Sequence, residues 1–287
     1  MMKDLIRLCR PAHAVKNLLV LLPPFFGHRI LEKDVLSSAF LTFCSFSLIA
    51  SVVYVFNDIV DRDKDKLHPT KCNRPIASGK VSVKAAWAMI VLLLCCGYGL
   101  IFFAKEKTAS FILLSIYLLL NIGYSLFLKN YPIVDLFVLA SGFVLRVYYG
   151  GTWFNIPISP WLFLCVFCGA LWFITGKRRN ELLYAGNKKD TRSVLGKYTV
   201  DYLNSSYYLL CAVSIVFYSL WTILGHETNI ALQISIPVVI FILFRYNYVI
   251  ETTDTDGDPV SMLIKDKLFL LLSLVFGVIS YIGIYLL

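Results

Sequence analysis

Apolar runs of about twenty residues recur along this chain, separated by short polar clusters. A helix needs about 20 mostly apolar residues to cross the hydrocarbon core of a bilayer. Nine stretches have that pattern, at about 17–31, 36–56, 83–104, 108–128, 132–153, 159–176, 203–224, 230–250 and 268–287. The first is the weakest, because it is short and carries Pro23-Pro24, which kinks or shortens a helix. The pattern predicts an all-α polytopic membrane protein: a bundle of about nine transmembrane helices forming a single integral membrane domain over residues 1–287.

Composition supports this. The chain is 58% hydrophobic with a mean hydropathy of +0.72, whereas a soluble domain is usually about 45–50% apolar. Charged residues make up only 16% and gather between the apolar runs. With the N-terminus inside, the inside segments hold 21 Lys and Arg, and the outside loops hold only Arg29, Lys33, Lys105 and Lys107. That asymmetry is a positive-inside signal, and nine spans then place the C-terminus outside. It also accounts for most of the net charge of +9, so no nucleic-acid partner is implied. The expected location is the inner cell membrane. No cleavable signal peptide is predicted over Met1 to Lys16. Six of the eight cysteines lie in apolar segments, and the Cys165-x-x-Cys168 pair reads as small apolar residues.

Two inside loops, about 57–82 and 177–202, are longer than connectors need to be. In the first, Asp58, Asp61 and Asp65 are spaced by three and four residues, so a helix continuing out of the membrane carries all three on one face. Asn57 is four residues before Asp61, and Asp63 points elsewhere. Stacked carboxylates repel unless a cation neutralises them. Hard oxygen ligands open to phosphate suit Mg2+; the bland alternative is a solvated helix end offset by Arg62, Lys64 and Lys66. Pro69, Pro75 and Gly79 then fix a turn-rich loop that brings Lys71 and Arg74 beside the aspartates. Carboxylates next to cations suit a metal-bound anion such as a diphosphate. His68 is either a ligand contact or only a loop residue.

Asn57-Asp58-x-x-Asp61-x-x-x-Asp65 followed by Arg74-Pro75-Ile76-x-x-Gly79 resembles the first aspartate-rich motif of the UbiA prenyltransferase superfamily. The run His68-Pro69-Thr70-Lys71 before Arg74-Pro75-Ile76-Ala77 is similar to its decaprenyl-phosphate phosphoribosyltransferase branch. The resemblance runs from Val15-Lys16-Asn17 to Asp256-Gly257-Asp258-Pro259. It implies a bundle of about nine helices and Mg2+ held on a diphosphate by Asp58, Asp61 and Asp65, with Asp58 and Asp61 essential to catalysis. Ordinary prenyltransferases of the superfamily carry a second aspartate motif after the sixth span. Here that place reads Gly176-Lys177-Arg178-Arg179-Asn180-Glu181, then Thr191-Arg192 and Tyr198. One acid remains, Glu181, four residues after Lys177 and able to pair with it. A basic second motif suits a substrate with more phosphates, since Arg grips phosphate bidentately. The branch implies phosphoribosyl pyrophosphate as donor and a polyprenyl phosphate as acceptor.

Other candidates sit near the same membrane face. Lys16 and Asn17 open the first span, where Lys16 either receives a lipid phosphate or snorkels. Tyr124 and Lys129 end the fourth span, and Asp135 begins the fifth. Arg146 lies about 16 Å further along that helix, too deep for the loops, so a structural partner inside the bundle is expected. Asp254-x-Asp256-Gly257-Asp258 lacks the Glu and Gly placement of a calcium loop and leaves a lid as one reading.

The leading expectation is a Mg2+-dependent glycosyltransferase moving 5-phosphoribosyl onto polyprenyl phosphate for envelope glycan precursors. Lys16, Asn17, Asn57, Lys71, Arg74, Tyr124, Lys129, Lys177, Arg178, Glu181, Arg192 and Tyr198 would contact substrate. The alternatives are a prenyltransferase with a prenyl diphosphate donor and aromatic acceptor, and a non-enzymatic transporter. A homo-oligomer stays open.

Overall fold

The computed structural model describes residues 2–68, 71–184, 194–224, 229–253, 262–263 and 265–286. It is all-helical among them. A short helix α1 (Met2–Leu8) leads into a 3-10 helix (Pro11–Leu21), α2 (Leu22–Phe26), the long α3 (Lys33–Val60) and α4 (Arg62–Leu67). Then come α5 (Val83–Gly99), α6 (Lys107–Leu126), α7 (Val134–Phe154), α8 (Pro160–Tyr184), α9 (Val200–Leu224), α10 (Ile230–Thr252) and α11 (Lys267–Tyr285).

Among the described residues, eight helices are long and apolar enough to span a membrane, and they fall on eight of the nine expected segments. The remaining segment, 17–31, folds differently. Residues 17–26 belong to the 11-residue 3-10 helix and the five-residue α2, which stops at Gly27. Pro23 and Pro24 have no N–H to donate, so they sit in the first turn of a new helix instead of inside one long helix. At rises of about 2.0 and 1.5 Å per residue, the two pieces together still cover about 30 Å of chain. One boundary also moves: α8 runs on to Tyr184, so Lys177 to Glu181 are helical although a loop was expected from 177.

The chain forms two compact units, residues 1–129 with 145–158, and residues 130–144 with 159–287. In the first, Phe46, Ile49, Tyr117, Tyr149 and Trp153 make the core. Two backbones approach closely there. A methyl group on Gly150 would meet the Val20 carbonyl oxygen at 1.9 Å, so only glycine fits. In the second unit, Trp172, Tyr207, Tyr246 and Phe269 pack together. Phe40, Leu92, Leu119, Leu209, Phe244 and Leu274 are exposed on helices long enough to cross a bilayer. In water such surface would be unfavourable; against acyl chains it is not. The protein is an integral membrane protein.

Candidate functional site

The acidic motif forms where α3 gives way to α4. Asp61 leaves helical geometry (φ −89°, ψ 5°) and separates the two helices. The hydrogen-bond ladder nevertheless continues, with Asp61 N–H donating to Asn57 O at 2.9 Å and Asp65 N–H to Asp61 O at 2.8 Å. Asp58 and Asp65 are both buried, at 3% and 4% exposure.

Three cations meet these carboxylates. Arg10 Nη2 lies 2.5 Å from Asp58 Oδ1. Arg74 Nη1 donates to Asp58 Oδ1 at 3.1 Å and to Asp65 Oδ2 at 2.7 Å. Lys129 Nζ donates to Asp61 Oδ1 at 2.7 Å. Two carboxylates therefore share one guanidinium nitrogen, as they would share a metal ion. Burial of such charges is tolerable only because each carboxylate meets a cation.

Local structure sets the cations in place. The turn carrying Arg74 is closed by Val81 N–H donating to Pro75 O at 2.9 Å, and Gly79 adopts φ 77°, a conformation suited to glycine. Arg10 also has a left-handed backbone (φ 50°), and its guanidinium stacks 5.1 Å from the Tyr54 ring centroid. Asp63 is exposed and pairs with Lys66 at 2.9 Å. The hydrogen bond from Lys66 holds its carboxyl below the ordinary range. Lys71 donates its backbone N–H to His68 Nδ1 at 3.4 Å. Asn57, Tyr124 and Lys16 are half-buried.

Could this site hold Mg2+? Among the described residues, no three of His, Cys, Asp and Glu gather closely enough to form a metal cage. Mg2+ does not need one, since it usually takes one or two carboxylates and completes its shell with water and phosphate oxygens. Asp58 and Asp65, drawn to one nitrogen, supply oxygen donors of that kind, so the residues fit.

Deeper in the first unit, Arg146 is buried at 6% exposure. Its Nε donates to Asn17 Oδ1 at 2.9 Å and its Nη2 to Tyr117 OH at 3.2 Å, with the guanidinium 5.0 and 5.1 Å from the ring centroids of Phe46 and Tyr117. Asn17 Nδ2 in turn donates to Ser47 Oγ at 2.9 Å. The expected structural partner of Arg146 is thus found, and it includes Asn17, which sequence placed among the substrate contacts.

In the second unit, Arg178 is 1% exposed. Its Nε donates to Asp135 Oδ2 at 2.9 Å and its Nη1 to Glu181 Oε2 at 2.7 Å. Glu181 therefore pairs with Arg178, three residues before it. Tyr198 OH donates to Asp135 Oδ1 at 2.7 Å and accepts from Ile133 N–H at 2.6 Å. Burial pushes the Tyr198 phenol above its ordinary pKa, so it stays a donor at working pH. Ile133 has φ 68°, rare for a β-branched residue, and this bond helps to hold it there. Arg179 reaches Asn204 and the Asn180 side chain, and lies 3.8 Å from Glu251. Lys177 is half-buried on α8. Arg192 and the Asp254–Asp258 stretch lie outside the described residues.

Sequence reasoning missed Arg10 as a site residue and treated Asp135 only as a marker of its helix end. The one local hint for Arg10 was its place before Pro11, in the basic segment that precedes the first apolar run. Asp135 had a better signal, an acid at the first turn of a spanning helix.

Residues 21–283 match the UbiA prenyltransferase family. The chain is similar to a decaprenyl-phosphate phosphoribosyltransferase of Corynebacterium glutamicum, 31% identical over 98% of this chain and 86% of that one. A protein of the same description from Mycobacterium tuberculosis is 32% identical over 94% of this chain and 90% of that one. Among solved structures, a UbiA homolog from Archaeoglobus fulgidus bound to GPP and Mg2+ superposes with a TM-score of 0.73. It is 23% identical, and the match covers 98% of this chain and 96% of that one.

Proposed function

The chain belongs to the UbiA prenyltransferase family, and from that premise we propose that it transfers 5-phosphoribosyl from phosphoribosyl pyrophosphate to a polyprenyl phosphate. The bond from ribose C1 to the pyrophosphate oxygen breaks, and its electron pair leaves with pyrophosphate. A bond from C1 to an oxygen of the lipid phosphate replaces it. The observation that carries this reading is the mixed character of the acidic site, in which Asp58, Asp61 and Asp65 are interleaved with Arg10, Arg74 and Lys129. Full-length similarity to relatives described as decaprenyl-phosphate phosphoribosyltransferases supports it.

Asp58 and Asp65 would hold Mg2+, and Asp61 would join them once donor and water complete its shell. When bound, the metal would supply Lewis-acid stabilisation of negative charge on the departing pyrophosphate. Arg10, Arg74 and Lys129 already stand next to those carboxylates and would turn to phosphate oxygens when donor and metal bind. Lys71 would add charge for the other phosphates, and Tyr124 and Asn57 would help to orient the donor. Arg178, enclosed by Asp135 and Glu181, acts as a positioning residue for the helix that bears Lys177. The acceptor is already an anion, so no strong base is needed, and placement supplies much of the rate. With the basic segments inside, the site faces the cytoplasm.

The test uses purified protein, Mg2+, labelled phosphoribosyl pyrophosphate and a polyprenyl phosphate. Label is expected to enter the lipid phase and to stop doing so when EDTA is added. Asp58→Asn or Asp61→Asn should lower the rate by about 10²-fold or more. Turnover of a prenyl diphosphate with an aromatic acceptor, and none with phosphoribosyl pyrophosphate, would reject the proposal.

A further inference from the structure

A groove of about 700 Å³ opens in the first unit, and none of the three carboxylates lines it. One wall is the N-terminal segment, through Leu5, Ile6 and Cys9. The other is the start of α5, through Ala88, Met89 and Leu92. Several of these apolar residues stand open in the chain on its own; Ile6 is 56% exposed and Leu92 63%. The polar end is short and is made by Gly79, Lys80 and Ser82, just before α5 begins at Val83.

Three features decide the occupant. The groove lies along the first turns of a helix long and apolar enough to span the membrane, so it opens at the level where acyl chains meet headgroups. Its volume is that of pockets that enclose a small ligand or a chain segment. Among the described residues its one charged lining residue is Lys80, whose ammonium would meet an anion at the polar end while the apolar walls take a hydrocarbon chain. We infer that this groove binds one acyl chain of an anionic phospholipid of the surrounding bilayer, with the lipid phosphate on Lys80.

The position gives the lipid a role. Cys9 lines the groove, and the next residue, Arg10, reaches Asp58 at 2.5 Å. Arg10 keeps a left-handed backbone, which persists only where its surroundings hold it. On the other side, Gly79 and Lys80 end the turn that presents Arg74 to Asp58 and Asp65. A lipid in the groove braces both segments from behind. This role rests on the proposed function of the carboxylate site; the binding itself does not.

The experiment counts retained lipid and needs no transfer assay. Protein from nanodiscs of phosphatidylcholine and phosphatidylglycerol in equal amounts is delipidated in detergent, and the lipids that remain are identified by native mass spectrometry. One phosphatidylglycerol is expected to remain, in at least about tenfold preference over phosphatidylcholine. Ala88→Trp, which fills the groove, and Lys80→Glu should each lower that retention about tenfold. Lys84→Glu makes the same charge change at an exposed position outside the groove and should retain the lipid. Equal retention of both lipids overturns the inference, as does unchanged retention in Ala88→Trp. Displacement of phosphatidylglycerol by stoichiometric polyprenyl phosphate would also overturn it, by assigning the groove to the acceptor.

Discussion

Arg178 and Lys129 are both basic residues near helix ends, yet they do different work. Lys129 is 20% exposed and meets an Asp61 that is 20% exposed as well. Arg178 is enclosed, with Asp135 at 0% exposure beside it. Removing one partner of a buried pair leaves the other charge uncompensated, which costs about 3–5 kcal/mol. Arg178→Ala is therefore expected to lower the thermal midpoint in detergent sharply. Lys129→Ala should leave the midpoint nearly unchanged and raise the KM for the donor. Equal midpoints for the two variants would show that Arg178 is not a structural ion. The spacing of Asp58, Asp61 and Asp65 was legible in sequence because helical periodicity is local. The partner of Arg178 was not, because Asp135 lies 43 residues away and nothing local marks the pair.

Helices, the next scale, were the most legible part, since length and apolar content alone decide whether a segment can cross a bilayer. The difference at 17–31 came from Pro23-Pro24, whose effect on a helix is local but whose outcome, a 3-10 rod instead of a kinked α-helix, depends on packing. Helix ends also carry stability. Asp266 caps α11 by accepting from Phe269 N–H at 2.7 Å, and Arg245 on α10 donates to it at 2.8 Å. The hydrogen bond from Arg245 holds the Asp266 carboxyl below its ordinary pKa. A depressed pKa means that the contribution is fully present above the ordinary carboxylate range. It is lost as pH falls through the depressed folded value. Asp266→Ala is expected to cost about 1 kcal/mol at neutral pH through the cap alone. Its melting temperature should also fall less steeply on acidification than that of the parent. Parallel acid limbs in both proteins would remove Asp266 from the account.

For the whole molecule, charge asymmetry proposes an orientation. In that orientation Lys107, at the start of α6, would lie on the sparsely charged outer side, and Asp63, on α4, on the densely basic inner one. In a chain stripped of native cysteines, Lys107→Cys should react with a membrane-impermeant maleimide in intact cells. Asp63→Cys should react only after the membrane is opened. Reaction of Asp63→Cys in intact cells would reverse the orientation and move the proposed site to the other face.

Sequence by itself determined eight of the nine expected spanning segments, the acidic spacing at the end of α3 and the basic run after the sixth expected span. Each depends on residues within one or two helical turns, or on apolar length, which the chain carries wherever it folds. Only tertiary structure decided which cation meets which carboxylate. Arg10 reaches Asp58 across 48 residues, and Lys129 reaches Asp61 across 68. Arg146 finds Asn17 at a separation of 129. Charge is written residue by residue, but a pair exists only where packing brings two distant groups within about 3 Å of one another.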